Sequence, residues 1–275
     1  MASTNHESVG KFSMVNGINI HYNELSSNGT PLIFLHGVTS SSRTWEAVAK
    51  EFTANYRVFT VDLRGHGKSE NPGRGYSWED DYAEDIAQFL NENIEEPAYL
   101  VGHSLGASVC GPVAVKSANR VKAIVMEDPP VFVHEKAPES LSIPPTHFLN
   151  MLAAKELGFD ARVLAIMKYT ECDYEAAVLR AQNIEDMDKA VLVELLTGKT
   201  GYDPEVIFPK ISCPALIYLG NPELGGVVDF EDRERLQALI GQVTVIERDS
   251  VGHCIHSEDF QFFVSSLEEF LKSNG

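Results

Sequence analysis

The pentapeptide Gly102-His103-Ser104-Leu105-Gly106 follows an apolar run at residues 98–101 and opens a helical pattern. A serine set between glycines at a strand-to-helix turn carries its hydroxyl exposed, because the glycines let the surrounding backbone pack closely. That geometry suits nucleophilic attack on a carbonyl, provided a base takes the hydroxyl proton. The same serine could instead cap the helix, since serine is a favoured N-cap residue. Of the nine histidines, His253 is the best placed base. It follows the last strand-like run in Ser250-Val251-Gly252-His253 and so falls on a loop at the same sheet edge as Ser104. The oxyanion formed on attack needs fixed donors. The Leu105 N–H at the start of the helix is one, and the Val38 N–H in the loop after Leu35 is the other; His36 in that loop reads as structural.

The elements that must position these groups follow from hydrophobic period. Residues 11–15 and 18–24 alternate as strands, and residues 31–35 form a continuous apolar run suited to a strand buried on both faces. Helix and strand patterns then alternate. Helices are expected at 45–54, 78–93 and 104–117, with strands at 57–61, 98–101 and 121–126. This rhythm implies right-handed crossovers and a mostly parallel α/β sheet. It breaks between Pro129 and Pro209, where a stretch holding Pro129, Pro130, Pro138, Pro144 and Pro145 leads into helical patterns near 147–157, 161–169, 174–183 and 187–198. Alternation resumes with a strand at 215–219, a helix at 230–240, a strand at 243–248 and a closing helix at 258–272. The expected organisation is therefore a core of residues 1–128 and 210–275, with residues 129–209 as a helical lid carried over the strands' carboxyl edge.

Composition narrows the partners. The 275 residues are 44% hydrophobic and 23% charged, ordinary globular usage. With 22 Lys and Arg against 40 Asp and Glu, the net charge of -18 disfavours nucleic acid and anionic membranes. Cys110, Cys172, Cys213 and Cys254 form no C-x-x-C pair, which points away from a zinc ribbon or a dithiol and fits a reducing compartment. Residues 1–10 show no secretory signal and no apolar run reaches spanning length, so a cytoplasmic location without membrane insertion is expected. A homodimer is compatible with the sequence.

Together, His36-Gly37, the stretch from Asp62 to Ser69, the pentapeptide around Ser104, Asp128-Pro129 and Gly252-His253 resemble the α/β-hydrolase superfamily in its lid-bearing branch. The resemblance runs over nearly all of residues 11–272. It implies an α/β-hydrolase fold, with a mostly parallel eight-stranded sheet flanked by helices and the lid inserted before the penultimate strand. It also implies a Ser104, His253 and carboxylate triad. Two positions could supply the carboxylate: Glu223, three residues past Gly220 after the lid, or Asp128 at the end of the strand before it. Asp128 ranks first because two prolines hold it, Glu223 second, and Glu127 third, on the opposite face of the strand. A serine at position 104 argues against the aspartate-dependent dehalogenase and epoxide hydrolase branches.

Other features read as bland. Gly67-Lys68-Ser69 imitates a phosphate-binding loop but lacks its first glycine, and His253-Cys254-Ile255-His256 lacks further metal ligands, so no metal or organic cofactor is expected. Asn28-Gly29 reads as a hairpin turn. Met151, Leu152, Met167 and Tyr169 could line the pocket or pack within the lid, and Gly111-Pro112 should kink the helix after Ser104. The expected activity is hydrolysis of an ester or lactone of medium size and apolar character through an acyl-enzyme. Carbon-carbon bond or thioester cleavage, or a ligand receptor with vestigial catalysis, are the alternatives.

Overall fold

The computed structural model describes residues 10–137 and 140–275. The first nine residues, on which most of the signal-peptide reading rests, and Pro138 of the proline-rich stretch lie outside them.

Eight strands form one sheet: β1 (Lys11–Val15), β2 (Ile18–Glu24), β3 (Thr30–Leu35), β4 (Tyr56–Val61), β5 (Ala98–His103), β6 (Val121–Glu127), β7 (Ala215–Gly220) and β8 (Val243–Arg248). Their order is β1-β2-β4-β3-β5-β6-β7-β8, and β2 alone runs against the others. The alternation of side chains along a strand divides the apolar run of β3 between two cores. Ile33 and Leu35 join Phe59, Val61 and Leu100 on one face. Leu32 and Phe34 join Val58, Tyr99 and Val101 on the other. Helices α1 (Glu46–Phe52), α2 (Ala83–Asn93) and α3 (Leu105–Lys116) cover the two faces, with α2 entered through a wider π turn at Trp78–Tyr82.

Between β6 and β7 lie α4 (Pro145–Lys155), α5 (Phe159–Thr170), α6 (Tyr174–Asp186), α7 (Lys189–Leu196) and the single turn α8 (Pro204–Ile207). The α6–α7 half is fastened to the core by polar contacts. Ser41 donates to Asn183 (2.9 Å), Arg43 pairs with Asp186 (2.9 Å), and the Tyr76 hydroxyl donates to Asp188 (2.6 Å). Glu194 accepts the backbone N–H groups of Gly75 and Tyr76, each at 3.0 Å. Helices α4 and α5 pack on α6 and α7. After β7 come α9 (Phe230–Leu239), the short α10 (Ile255–Glu258) and α11 (Phe260–Ser273). No helix among the described residues is long and apolar enough to cross a membrane.

The hairpin expectation at Asn28-Gly29 is corrected. The strands on either side, β2 and β3, are not neighbours, because β4 lies between them. The true hairpin is Asn16-Gly17, which joins β1 to β2 with both residues left-handed (φ 47° and 78°), as a type I′ turn requires.

The Gly111-Pro112 pair also has a physical account. Pro112 has no N–H to give to the Ser108 carbonyl one turn earlier, and the Tyr202 hydroxyl supplies that hydrogen bond instead (2.8 Å). A Cβ at Gly111 would stand 2.8 Å from the Phe208 ring, so glycine lets the end of the insertion seat on α3.

Candidate active site

Ser104 joins β5 to α3 in a conformation that an L-residue rarely adopts (φ 53°, ψ −112°), and its side chain makes no capping hydrogen bond. The N-cap alternative therefore fails on geometry. Such a backbone costs on the order of 1–3 kcal/mol and persists because its surroundings determine it. A Cβ at Gly102 would lie 2.3 Å from the Gly106 carbonyl group, and one at Gly106 would lie 2.2 Å from the Leu35 oxygen. Close approach, not positive φ, is why both positions are glycine. The Gly106 N–H donates to the His36 carbonyl (3.1 Å), which fixes the start of α3 to the loop after β3.

That loop is rigid. The His36 Nδ1–H donates to the Gly37 carbonyl (2.8 Å) and its Nε2 accepts the Leu63 N–H (3.0 Å), which specifies the neutral tautomer. Complete burial, with the His66 ring nearby, pushes the His36 pKa down to about 3, so the ring serves structure, as its position suggested. The Val38 carbonyl lies 2.6 Å from His66 Nε2. Among the described residues, neither the Val38 nor the Leu105 N–H donates to a protein acceptor, and both residues line the cavity that Ser104 faces.

His253 lines the same cavity, and its Nδ1 lies 2.7 Å from Asp128 Oδ2. Asp128 is fully buried just past β6 with a left-handed backbone (φ 45°), and its carboxylate also accepts the N–H of Val227 (2.8 Å) and Gly220 (3.4 Å). Glu223 is exposed on the short turn Pro222–Leu224, and no side-chain hydrogen bond joins it to His253 among the described residues. The structure therefore brings Asp128, not Glu223, to the imidazole. No hydrogen bond joins Ser104 to His253 among the described residues; the two share the cavity, and such contacts often tighten only when substrate binds.

Glu127 points to the opposite face, where its buried carboxylate accepts the backbone N–H of His256 (2.7 Å) and meets its Nδ1 (2.8 Å). Trp45 packs on the His256 ring at 4.5 Å. The metal-like pattern at 253–256 resolves differently from its spelling, because the ligand atoms that gather within 4.8 Å belong to His103, Glu127 and His256, without Cys254. Glu127 is engaged with His256, and His103 Nε2 with the His253 carbonyl (3.1 Å), while His103 Nδ1 is buried without a hydrogen-bond partner among the described residues.

Two supporting groups escaped the sequence reading. His103 holds the His253 carbonyl, and Glu258 accepts the N–H groups on both sides of His253, from Gly252 (2.7 Å) and Cys254 (3.1 Å). A glutamate in the first turn after a histidine loop is the only available signal, and it is a weak one. The Asp62 to Ser69 stretch is a hydrogen-bonded loop. Asp62 accepts from Ser42 N (2.7 Å) and Lys68 N (3.1 Å) and meets His21 Nδ1 (2.8 Å). Burial pushes its pKa up, but the His21 contact and these donors outweigh it and hold the carboxyl well below the usual range.

The cavity has a volume of about 260 Å³. Its walls are mostly apolar, with Trp78, Leu105, Val133, Phe148 and Leu195 among them. Met151, Leu152, Met167 and Tyr169 pack into the hydrophobic core and are not among the cavity-lining residues.

A family model for the alpha/beta hydrolase fold matches residues 30–260. Over 257 residues the chain is 26% identical to the N-formylmaleamate deformylase of Pseudomonas putida, covering 93% of this chain and 94% of that one. It is 32% identical to the sn-1-specific diacylglycerol lipase ABHD11 of Danio rerio over 277 residues, covering 93% and 83%. The crystal structure of the N-formylmaleamic acid deformylase of Pseudomonas putida S16 matches with a TM-score of 0.81 at 22% identity, covering 94% of this chain and all of that one, a likeness of fold. By fold, by sequence and by the extent of the match, this chain belongs to the alpha/beta hydrolase fold family.

Proposed function

We propose that the protein is a serine hydrolase that cleaves a carboxylic ester or lactone of medium size and apolar character through an acyl-enzyme. The observation that carries this reading is the convergence on one cavity of the strained Ser104, the Asp128-bound His253 and two amides without protein acceptors. Ser104 Oγ attacks the carbonyl carbon while His253 Nε2 takes its proton. Asp128 fixes Nδ1 as the protonated nitrogen and supports the imidazolium that forms. The Val38 and Leu105 N–H groups receive the tetrahedral oxyanion. His253 then gives the proton to the leaving alkoxide, and water repeats the sequence to release the acid and restore Ser104.

Residues 129–209 act in this reading as a lid. Phe148 and Leu195, which line the cavity from α4 and α7, would exclude water from the acyl-enzyme. Relatives cover both ester and amide chemistry in name, since one is a lipase and another a deformylase acting on N-formylmaleamate. Mostly apolar walls favour the ester or lactone here.

The test is sustained turnover of p-nitrophenyl hexanoate together with mass detection of an acylated Ser104. Ser104→Ala should lower kcat by at least ~10³-fold, on the scale of losing a catalytic serine. Turnover that survives the substitution overturns the mechanism, and ligand binding without turnover favours the receptor reading.

A further inference from the structure

The cavity gives little welcome to negative charge. Apart from the imidazoles of His253 and His134, the only basic side chain among its described lining residues is Lys136. That ammonium is committed twice, to Asp229 and to Asp232, and is largely buried against them (side chain 17% exposed). One cation facing two carboxylates leaves this wall with an excess of one negative charge. His134 lies against Trp78 (5.4 Å between rings), and burial lowers its pKa, which favours the neutral imidazole. The remaining lining residues carry no charge.

We infer that the site selects neutral acyl substrates and rejects those bearing a carboxylate on the acyl chain, because Asp229 and Asp232 hold the cavity's one lysine out of use. This rests on the hydrolase reading and deepens it to a substrate class. A carboxylate entering here would lose its water in a mostly apolar cavity and find the one lysine among the described lining residues already neutralised. The surrounding field of a chain with net charge -18 opposes its approach as well. An anionic substrate such as the deformylase relative's name denotes is therefore outside the class. Asp229 and Asp232, at the N-cap and in the first turn of α9, follow closely on Val227, whose N–H holds Asp128, so one loop-to-helix segment serves both selection and the site.

The test compares p-nitrophenyl hexanoate with its ω-carboxylate counterpart, the mono-p-nitrophenyl ester of adipic acid, which has the same chain length. Wild-type kcat/KM should favour the neutral ester by at least a hundredfold; equal rates, or preference for the acid, overturn the inference. Freeing the lysine with Asp229→Asn/Asp232→Asn should shrink that preference at least tenfold, through a faster reaction of the carboxylate ester. An unchanged ratio in a variant that still turns over the neutral ester overturns the role of Lys136. If the double variant does not fold, Asp232→Asn alone should shift the ratio in the same direction, and an unshifted ratio counts equally against it. Failure of the underlying reading looks different. In that case neither ester is hydrolysed and a fluorophosphonate probe leaves Ser104 unlabelled.

Discussion

Two consecutive carboxylates, Glu127 ending β6 and Asp128 just past it, are each taken by a histidine from the same short stretch, yet the two pairs occupy opposite environments. Asp128 meets His253 beside the cavity, whereas Glu127 meets His256 in a sealed space under Trp45. The left-handed turn at Asp128 (φ 45°) follows directly on the strand that sends Glu127 to the other face. A histidine hydrogen-bonded to a buried carboxylate is thus no signature of catalysis by itself. What separates the pairs is access, since of these two histidines His253, and not His256, lines the cavity with Ser104.

The comparison can be broken most sharply at Asp128. Asp128→Asn should lower kcat by roughly 10³–10⁴-fold, the scale of disturbing the tautomer of a catalytic histidine, while the melting temperature stays near that of the wild type. A loss under tenfold in steady-state assays would remove Asp128 from the mechanism. Glu127→Ala should do the reverse. It strips a buried partner from His256 and should cost about 3–5 kcal/mol in urea unfolding, with kcat of the folded enzyme within about tenfold. A collapse of kcat as deep as that of the Asp128 variant would mean that both pairs act in catalysis.

Histidines buried without a carboxylate sharpen the contrast further. His36 has a folded pKa of about 3, below its unfolded value of roughly 6.5. Its contribution to stability is therefore present above pH 6.5 and is lost as the pH falls from there toward 3, because the unfolded chain binds the proton first. Urea midpoints should decline on acidification, with His36 contributing at most about 1.4 kcal/mol per pH unit. His36→Asn should flatten that decline, and an unaltered slope would exclude His36 as its source. The smallest effect belongs to Glu223, whose Gln substitution should leave kcat within twofold and stability within about 0.5 kcal/mol.

Much of this arrangement is legible in the sequence because it depends on local rules. The unbroken apolar runs of β3 and β5 announce a doubly covered sheet, and the glycines around Ser104 announce the turn. The choice of acid is different. Spacing places Asp128 and Glu223 at the same sheet edge, and only the fold of the 220s loop decides between them. There the turn Pro222–Leu224 directs Glu223 outward, and the same loop delivers the Val227 N–H to Asp128. His103 and Glu258 are illegible for a related reason, since both act on main-chain atoms of residues 252–254 and leave no side-chain pattern to match. The hairpin is a plainer case. Asn16-Gly17 carried the stronger turn signal, between two alternating strands, whereas strand order alone disqualifies Asn28-Gly29.

The hydrogen bond from Tyr202 to the Ser108 carbonyl has a consequence in time. Proline at 112 leaves the helix behind Ser104 one bond short until Tyr202, 94 positions after Ser108, arrives. Contacts so distant in sequence form late, after their loop-closure entropy has been overcome. The Ser108 carbonyl, one turn behind the proposed nucleophile Ser104, thus gains its donor only once the chain has run to Tyr202 and that residue has docked on α3. A chain docked wrongly at Tyr202 would leave the Ser108 carbonyl without its donor, so a residue near the end of the insertion completes a helix that the first half of the chain begins.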